Sequence, residues 1–598
     1  MLIAALRDPQ GALADLSLSG KVLGVYASAG TTTAFSTASI EAGVRPGADV
    51  EAALALLNMT LREIIARGIP SDAVANARRR ILDARTFDLT SIPSIAFGWS
   101  QALGLGLQGP EALRDAYAKV TVADVNRVLR TSLGTDARLT VLVSPGGRGG
   151  PPQIGTGGGE NVAYTQGKPE PLPSWATASF KHALKPPNEP PETKSFTLPN
   201  GLHLVVSRVR LAPVISLSGS IENNQTLYAP NGHQGVADVT NALMSFGTMS
   251  LDRKAFAAAQ DAIAATVRAG SDFGLLAQSR DFDRALALLA DNMLHPRLPS
   301  DGFALIQKNY SSSLESGQRQ PGWKALLAMD AKLYPYGDPV RRHPTSTSVR
   351  SMTLDDVHAW YNRAFRPDET AIAIVGNIDP TVAYHEIAGY FGGWKNHGLK
   401  PTFKYPVIPL NRASSVTIES ATTAQTNVQL GETLAIHQSN PDRYALDLAD
   451  TILTDEGSAS RLFEDLRVRH GYVYRVGSTL DIGHQRSTYV FSFAADPKNV
   501  AAAEGALRAD LRNMQTTNVS SEDLARAKAV WLARSALAGD SYSGLAAQLL
   551  AGTSTTNQSN QMEWNELLGV TPAQLRAAMT KWVRLNDFVR VSIVPQSR

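Results

Sequence analysis

The chain has 598 residues, with 57 Lys and Arg against 54 Asp and Glu, a net charge of +3. Domains run to roughly 100–200 residues, so several are expected, and so small a charge excludes the concentrated basic excess of a nucleic-acid binder. The absence of cysteine excludes disulfides, thiolate nucleophiles and every cysteine-ligated metal centre. No window approaches the roughly 18 uninterrupted apolar residues of a membrane-spanning helix.

At the start, MLIAALRDPQ meets Arg7 and Asp8 too early for a signal-peptide core, so a periplasmic location would need a leader before Met1. GVYASAG, Gly24–Gly30, reads as a strand, and DAVANARRRILDARTFDL, Asp72–Leu89, as a helix. VTVADVNRVLRTSLGTDARLTVLVSP, Val120–Pro145, reads as a helix capped by its Thr and then an apolar strand. Residues 146–191 are Gly- and Pro-rich and read as a linker; GTGGG within them lacks the Lys-Ser/Thr of a phosphate loop. KSFTLPNGLHLVVSRV predicts a hairpin around Asn200–Gly201. Tyr334–Pro339 and Phe391–Trp394 read as turns, and MTLDDVHAWYNRAFRPDETAIAIVGN, Met352–Asn377, as another capped helix and strand. SSVTIESATTAQTNVQLGETLAI, Ser414–Ile436, is strand-like, and VTPAQLRAAMTKWVRLNDFVRVSIVP, Val570–Pro595, closes the chain. Trp99, Trp323, Trp360 and Trp582 sit in helical patterns and are expected in the core.

Val120–Pro145 and Val570–Pro595 share length and pattern at an offset of 450 residues (570 − 120). The same offset relates Asp72–Leu89 to Glu522–Gly539, and one of 448 (472 − 24) relates GVYASAG to YVYRVGS. Residues 1–145 and about 416–598 are therefore two copies of one α/β module. The first copy begins after the counterpart of Ser414–Ile436 and so lacks edge strands that would satisfy its backbone. Either something outside the chain completes it or the chain is a fragment of a longer polypeptide; the fragment is the preferred reading.

KSFTLPNGLHLVVSRV, IENNQTLYAPNGHQGVADVTNALMSFGTMS, LYPYGDPVRRHPTSTSVRSMTLDDVHAWYNRAFRPDETAIAIVGNID and SASRLFEDLRVRHGYVYRVGS resemble, in order, segments of the pitrilysin/insulinase-type, or inverzincin, zinc metallopeptidases. The resemblance implies an α+β fold of repeated modules, with antiparallel-rich sheets covered by helices in a clamshell arrangement. Residues 1–145 then correspond to a truncated C-terminal-type module, 192–400 to a degenerate N-terminal-type module, and 414–598 to a C-terminal-type module. Members of this type are commonly bacterial, exported and peptide-hydrolysing.

Family members hold zinc on an H-x-x-E-H helix and a later Glu, the motif Glu activating water. Aligned on its Phe-Gly-Thr ending, Gly235–Thr248 puts Asp238, Asn241 and Ala242 at the His, Glu and His positions. Ala cannot ligate and Asn cannot take a proton from water; the third-ligand stretch offers only Glu315. The 11 histidines come no closer than 12 residues (397 − 385), so no H-x-x-x-H pair exists. Zinc is thus expected on a partner or a missing N-terminal domain, and none on this chain.

Arg467 and Tyr474 stand at the spacing of the family's auxiliary pair, an Arg anchoring the substrate backbone and a Tyr stabilising the oxyanion. In the first copy the same positions hold Ser19 and Tyr26. The expectation is a protease component, inactive alone, that closes a chamber around peptide or unfolded polypeptide and works with a zinc-bearing domain or subunit. The alternative is a catalytically dead scaffold. Metal analysis of the purified chain separates both from an unrecognised zinc site.

Overall fold

The computed structural model describes residues 1–8, 10–31, 35–45, 47–134, 139–143, 192–401, 404–455, 460–554 and 560–596. The expected linker, 146–191, lies outside the described residues. The chain is α+β, with antiparallel-rich sheets covered by helices. Strands β1 (Gly24–Thr31) and β2 (Ser36–Gly43) form a two-stranded hairpin. Strands β3 (Thr193–Thr197), β4 (His203–Arg208), β5 (Val214–Ile221), β6 (Thr266–Arg268), β7 (Asp272–Gln278) and β8 (Thr370–Gly376) make a sheet of order β3-β4-β8-β5-β7-β6. Strands β9 (Ser414–Ser420), β10 (Thr426–Leu434), β11 (Val473–Ile482), β12 (Ser487–Ala495) and β13 (Val589–Pro595) make another, of order β11-β12-β10-β13-β9.

The two larger sheets share one topology. β4 and β8 run parallel, as β9 and β13 do, and β8 and β13 lie antiparallel to β5 and β10. The Thr residues expected to cap repeat helices all do so: Thr121, Thr353 and Thr571 each form a reciprocal capping box, with Asp124, Asp356 and Gln574. Gly201, at φ +93°, turns the expected β3–β4 hairpin.

Both larger sheets are apolar on two faces, and each borrows its second cover from the other. Tyr542 and Ala546, on the Tyr542–Ser554 helix, pack on Val214 of β5 and Ala373 and Val375 of β8. The Tyr542 hydroxyl accepts from the Ala212 N–H at 3.0 Å. In return, Ala325, Met329 and Leu333 of the Pro321–Leu333 helix pack on Val589 and Val591 of β13. Gly431 of β10 makes room for this cover, since a Cβ there would lie 2.7 Å from the Met329 sulfur. A bidentate ion pair locks the exchange: Arg486 donates to both Asp338 oxygens at 2.7 and 2.8 Å. Both side chains are buried, and the Arg486 guanidinium stacks 4.4 Å from the Tyr405 ring centroid.

Around residues 1–143 the covering is incomplete. Trp360 is buried as expected, but Trp99 is 49% exposed, together with Ile92, Ile95 and Leu103 on the Ile92–Gly104 helix. The helical spacing of these residues does mark an apolar stripe, but no described sheet lies against it. Ser91 and Ser541, at the repeat offset of 450 (541 − 91), meet in an antiparallel bridge. A bridge between equivalent residues places a local twofold axis between the two copies.

Glu432 is fully buried within β10, and its carboxyl is pushed up to about 7, first by burial, while the Arg584 backbone N–H donates to it at 3.0 Å. The unfolded chain releases this proton near pH 4.3 and the fold near 7, so stability falls as pH rises through that window. Glu432→Gln is expected to raise the melting temperature at pH 8.5 and leave it nearly unchanged at pH 4, as thermal denaturation at the two pH values will check.

Candidate functional site

The helix at the H-x-x-E-H position, Val236–Leu243, starts from Gly235 at φ +96°. Asp238 accepts a hydrogen bond from the Tyr310 hydroxyl at 2.8 Å, and burial together with this carboxylate holds the Tyr310 phenol above its ordinary pKa. Tyr310 comes from the Ser300–Gln318 helix, the stretch expected to offer a third ligand. Asn241 accepts from the Ser271 N–H at 2.9 Å and from its hydroxyl at 3.2 Å, which ties the helix to the loop before β7. Ala242 offers no donor atom. Glu315 pairs at 2.7 Å with Arg319 and at 2.5 Å with Arg350, whose hydrogen bond keeps its carboxyl below the usual range.

These side chains do not fit a zinc ion. The one carboxylate at the motif is held by a phenol, the amide oxygen is used by Ser271, and Glu315 is an exposed ion-pair partner. Among the described residues no three His, Asp or Glu side chains gather as a metal site.

Arg467 and Tyr474 do come together. Arg467 lies in the wide helical turn Glu464–Arg469, and its guanidinium sits 5.5 Å from the Tyr474 ring centroid while donating to the Val473 carbonyl at 3.3 Å. The β11–β12 register steps from Val473↔Ala495 to Arg475↔Ala494, so Tyr474 is the extra residue of a β-bulge. A bulge re-aims its side chain, and the Tyr474 ring is 47% exposed. In the first copy Ser19 instead caps a short helix through the Leu16 carbonyl, and Tyr26 sits in regular β1–β2 register.

One relation was not legible in the sequence. Tyr26, Ser17 and Leu18 face Asp238, Ala242 and Tyr310 across a cavity of about 590 Å³. The Val236–Leu243 helix therefore faces Tyr26, which the 448-residue offset aligns with Tyr474. The offset that aligns Tyr26 with Tyr474 was the available signal; the fold supplied the confrontation.

Residues 351–530 match the family model described as the peptidase M16 inactive domain. This match, the curated relatives and the M16-like solved structures support a pitrilysin-type, or M16, family member, and the 598 residues contain no H-x-x-E-H motif. An uncharacterized zinc protease of Mycobacterium leprae is 26% identical over 302 residues, which are 48% of this chain and 65% of that protein. An uncharacterized zinc protease of Mycobacterium tuberculosis is 27% identical over 34% of this chain and 46% of its own length. The chain thus spans less than two thirds of these relatives. In fold it resembles the periplasmic protease PqqL of Escherichia coli, at 13% identity and a TM-score of 0.60, over 99% of this chain and 68% of that one.

Truncating Asn241 leaves the Ser271 N–H without its partner, so Asn241→Ala is expected to cost about 1–3 kcal/mol of stability in chemical denaturation. Its metal content should match that of the parent chain.

Proposed function

We propose that this M16-family chain is the non-zinc portion of a peptidase, which walls a peptide chamber and lends Arg467 and Tyr474 to a zinc centre on a partner domain or subunit. The observation that carries this reading is the cavity between Tyr26 and Asp238, taken with the Ser91–Ser541 twofold axis. On the described side of the axis, a motif helix of the N-terminal type faces Tyr26. The twofold mate of that arrangement would set a second such helix, on a partner, opposite Tyr474, the family's place for a zinc-bearing helix.

The apolar stripe supports the same partner. Tyr542, Leu545 and Leu549 cover the middle sheet, and Ile92, Ile95 and Trp99 are their counterparts at the 450 offset. Phe87 joins that middle-sheet core, whereas its counterpart Leu537 is exposed. A second sheet of the middle type would bury all four exposed side chains.

In such an assembly the Tyr474 O–H, aimed outward by its bulge, would donate to the oxygen that gains charge as a peptide carbonyl is attacked. Arg467, pre-set against the ring, would hold a substrate backbone carbonyl. The partner's zinc would supply the nucleophile; this chain's share is orientation, charge stabilisation and exclusion of water.

The test is the native assembly, isolated through a tag on this chain and assayed with a quenched-fluorescence peptide. Chelator-sensitive cleavage is expected, with Tyr474→Phe lowering kcat by about 100-fold and Arg467→Ala chiefly raising KM. Parent rates in both variants would leave the scaffold reading in its place. The purified chain alone should show no peptidase activity. Ile95→Glu combined with Trp99→Glu should reduce the native assembly to the mass of this chain, while the isolated chain keeps its melting temperature; an unchanged assembly would remove the docking role of the stripe.

A further inference from the structure

The sequence contains two Asn-Gly pairs, Asn200–Gly201 and Asn231–Gly232, and they stand in opposite surroundings. A glycine has no Cβ to keep its backbone nitrogen away from the amide carbon of a preceding asparagine. Whether the two atoms meet then depends on what else holds them.

At the first pair every group is held. The Asn200 amide nitrogen donates to the Phe391 carbonyl at 2.8 Å and to the Trp394 carbonyl at 3.2 Å. Its amide oxygen accepts from the Leu202 N–H at 3.3 Å, and the Gly201 N–H donates to the Leu198 carbonyl at 2.9 Å. Both the attacking nitrogen and the group that would leave are thus engaged in the β3–β4 hairpin.

At the second pair both are free. Asn231 and Gly232 are exposed, and neither the Asn231 side chain nor the Gly232 N–H makes a hydrogen bond among the described residues. They are the two central residues of a turn closed by the His233 N–H on the Pro230 carbonyl at 3.0 Å. Gly232, at φ +85°, fills the third position of that turn, where a type II turn requires glycine. The turn leads straight into the Val236–Leu243 helix: the Val236 N–H donates to the His233 carbonyl at 3.2 Å. His233 also sets its Nδ1 3.2 Å from an Asp356 carboxylate oxygen.

We propose that Asn231–Gly232 is a site of spontaneous covalent modification, where water converts the asparagine to aspartyl and isoaspartyl forms while Asn200–Gly201 stays intact. The Gly232 nitrogen, having lost its proton to solvent, bonds to Asn231 Cγ. The bond from Cγ to the side-chain nitrogen breaks, and ammonia leaves with that proton. Water then opens the five-membered imide at either carbonyl. One opening leaves an ordinary aspartyl residue, and the other leaves a main chain that runs through Cβ and Cγ. Either product carries a new carboxylate, so the net charge falls from +3 to +2 (57 − 55). The isoaspartyl product also lengthens the turn by one methylene immediately before the helix. The modification requires neither zinc nor a partner and is independent of the peptidase reading.

The experiment incubates the full chain at mildly alkaline pH, digests it at acid pH and follows both Asn-Gly peptides by mass spectrometry. The mass gain of amide-to-acid conversion is expected at Asn231 at least 10-fold faster than at Asn200, and faster still as pH rises. In concentrated urea the two rates should become similar, because the hairpin no longer holds Asn200. Asn231→Gln requires a larger ring, so it should abolish the gain in that peptide. It should keep the parent melting temperature, since the Asn231 side chain has no partner to lose. No gain at Asn231 in the native chain, or an equal gain at Asn200, overturns the proposal. So does a rate difference that persists in urea, because the selectivity would then belong to the neighbouring sequence and not to the fold.

Discussion

A β-sheet that is apolar on both faces must be covered twice, and this requirement governs how the chain is joined. Helices that follow β5 and β10 cover one face of each large sheet. The second face is covered by exchange, Tyr542–Ser554 on the middle sheet and Pro321–Leu333 on the last. At roughly 25 cal/mol per Å² of apolar surface removed from water, neither sheet would keep its second face exposed cheaply. The exchange makes the middle and last segments interdependent, and Arg486–Asp338 fixes their register with a buried, bidentate pair whose separation would strand two charges. Residues 1–143 have the same helices with neither a complete sheet nor a second sheet to cover, and their exposed apolar groups follow from that deficit.

Much of this was legible in the sequence because repetition and capping are local signals. The 450-residue offset located equivalent helices before any contact was known, and the Thr caps fell where the offset placed them. The expectation that Asp238, Asn241 and Ala242 hold no zinc rested on side-chain chemistry, since Ala cannot ligate and Asn cannot act as a base. The core assignment of Trp99 failed because helical periodicity reports an apolar face and not what covers it. The bulge at Tyr474 was likewise hidden. A bulge is a mismatch between two strands, and a single strand's sequence carries no register.

Hydrogen bonds tie the Val236–Leu243 helix to its neighbours. Asp238 joins the helix to Tyr310 on the long helix that follows, and Asn241 joins it to Ser271. Each bond satisfies a polar group that would otherwise be left without a partner, so both help fix the helix in place.

The two sides of the twofold axis differ in a coordinated way. The described cavity is lined by Asp238 and Ala242 of the middle segment and by Ser17 and Tyr26 of the first, while Ser19, at the offset position of Arg467, lies outside its lining. These groups lie in different segments, and no folding requirement links them, since Ser19 caps a helix and Ala242 borders open space. In the last segment Arg467 and Tyr474 are both present and in contact, with Tyr474 the extra residue of a bulge. Arg467 and Tyr474 thus share one face of the last segment, and the first segment keeps only the aromatic member of that pair at the offset positions.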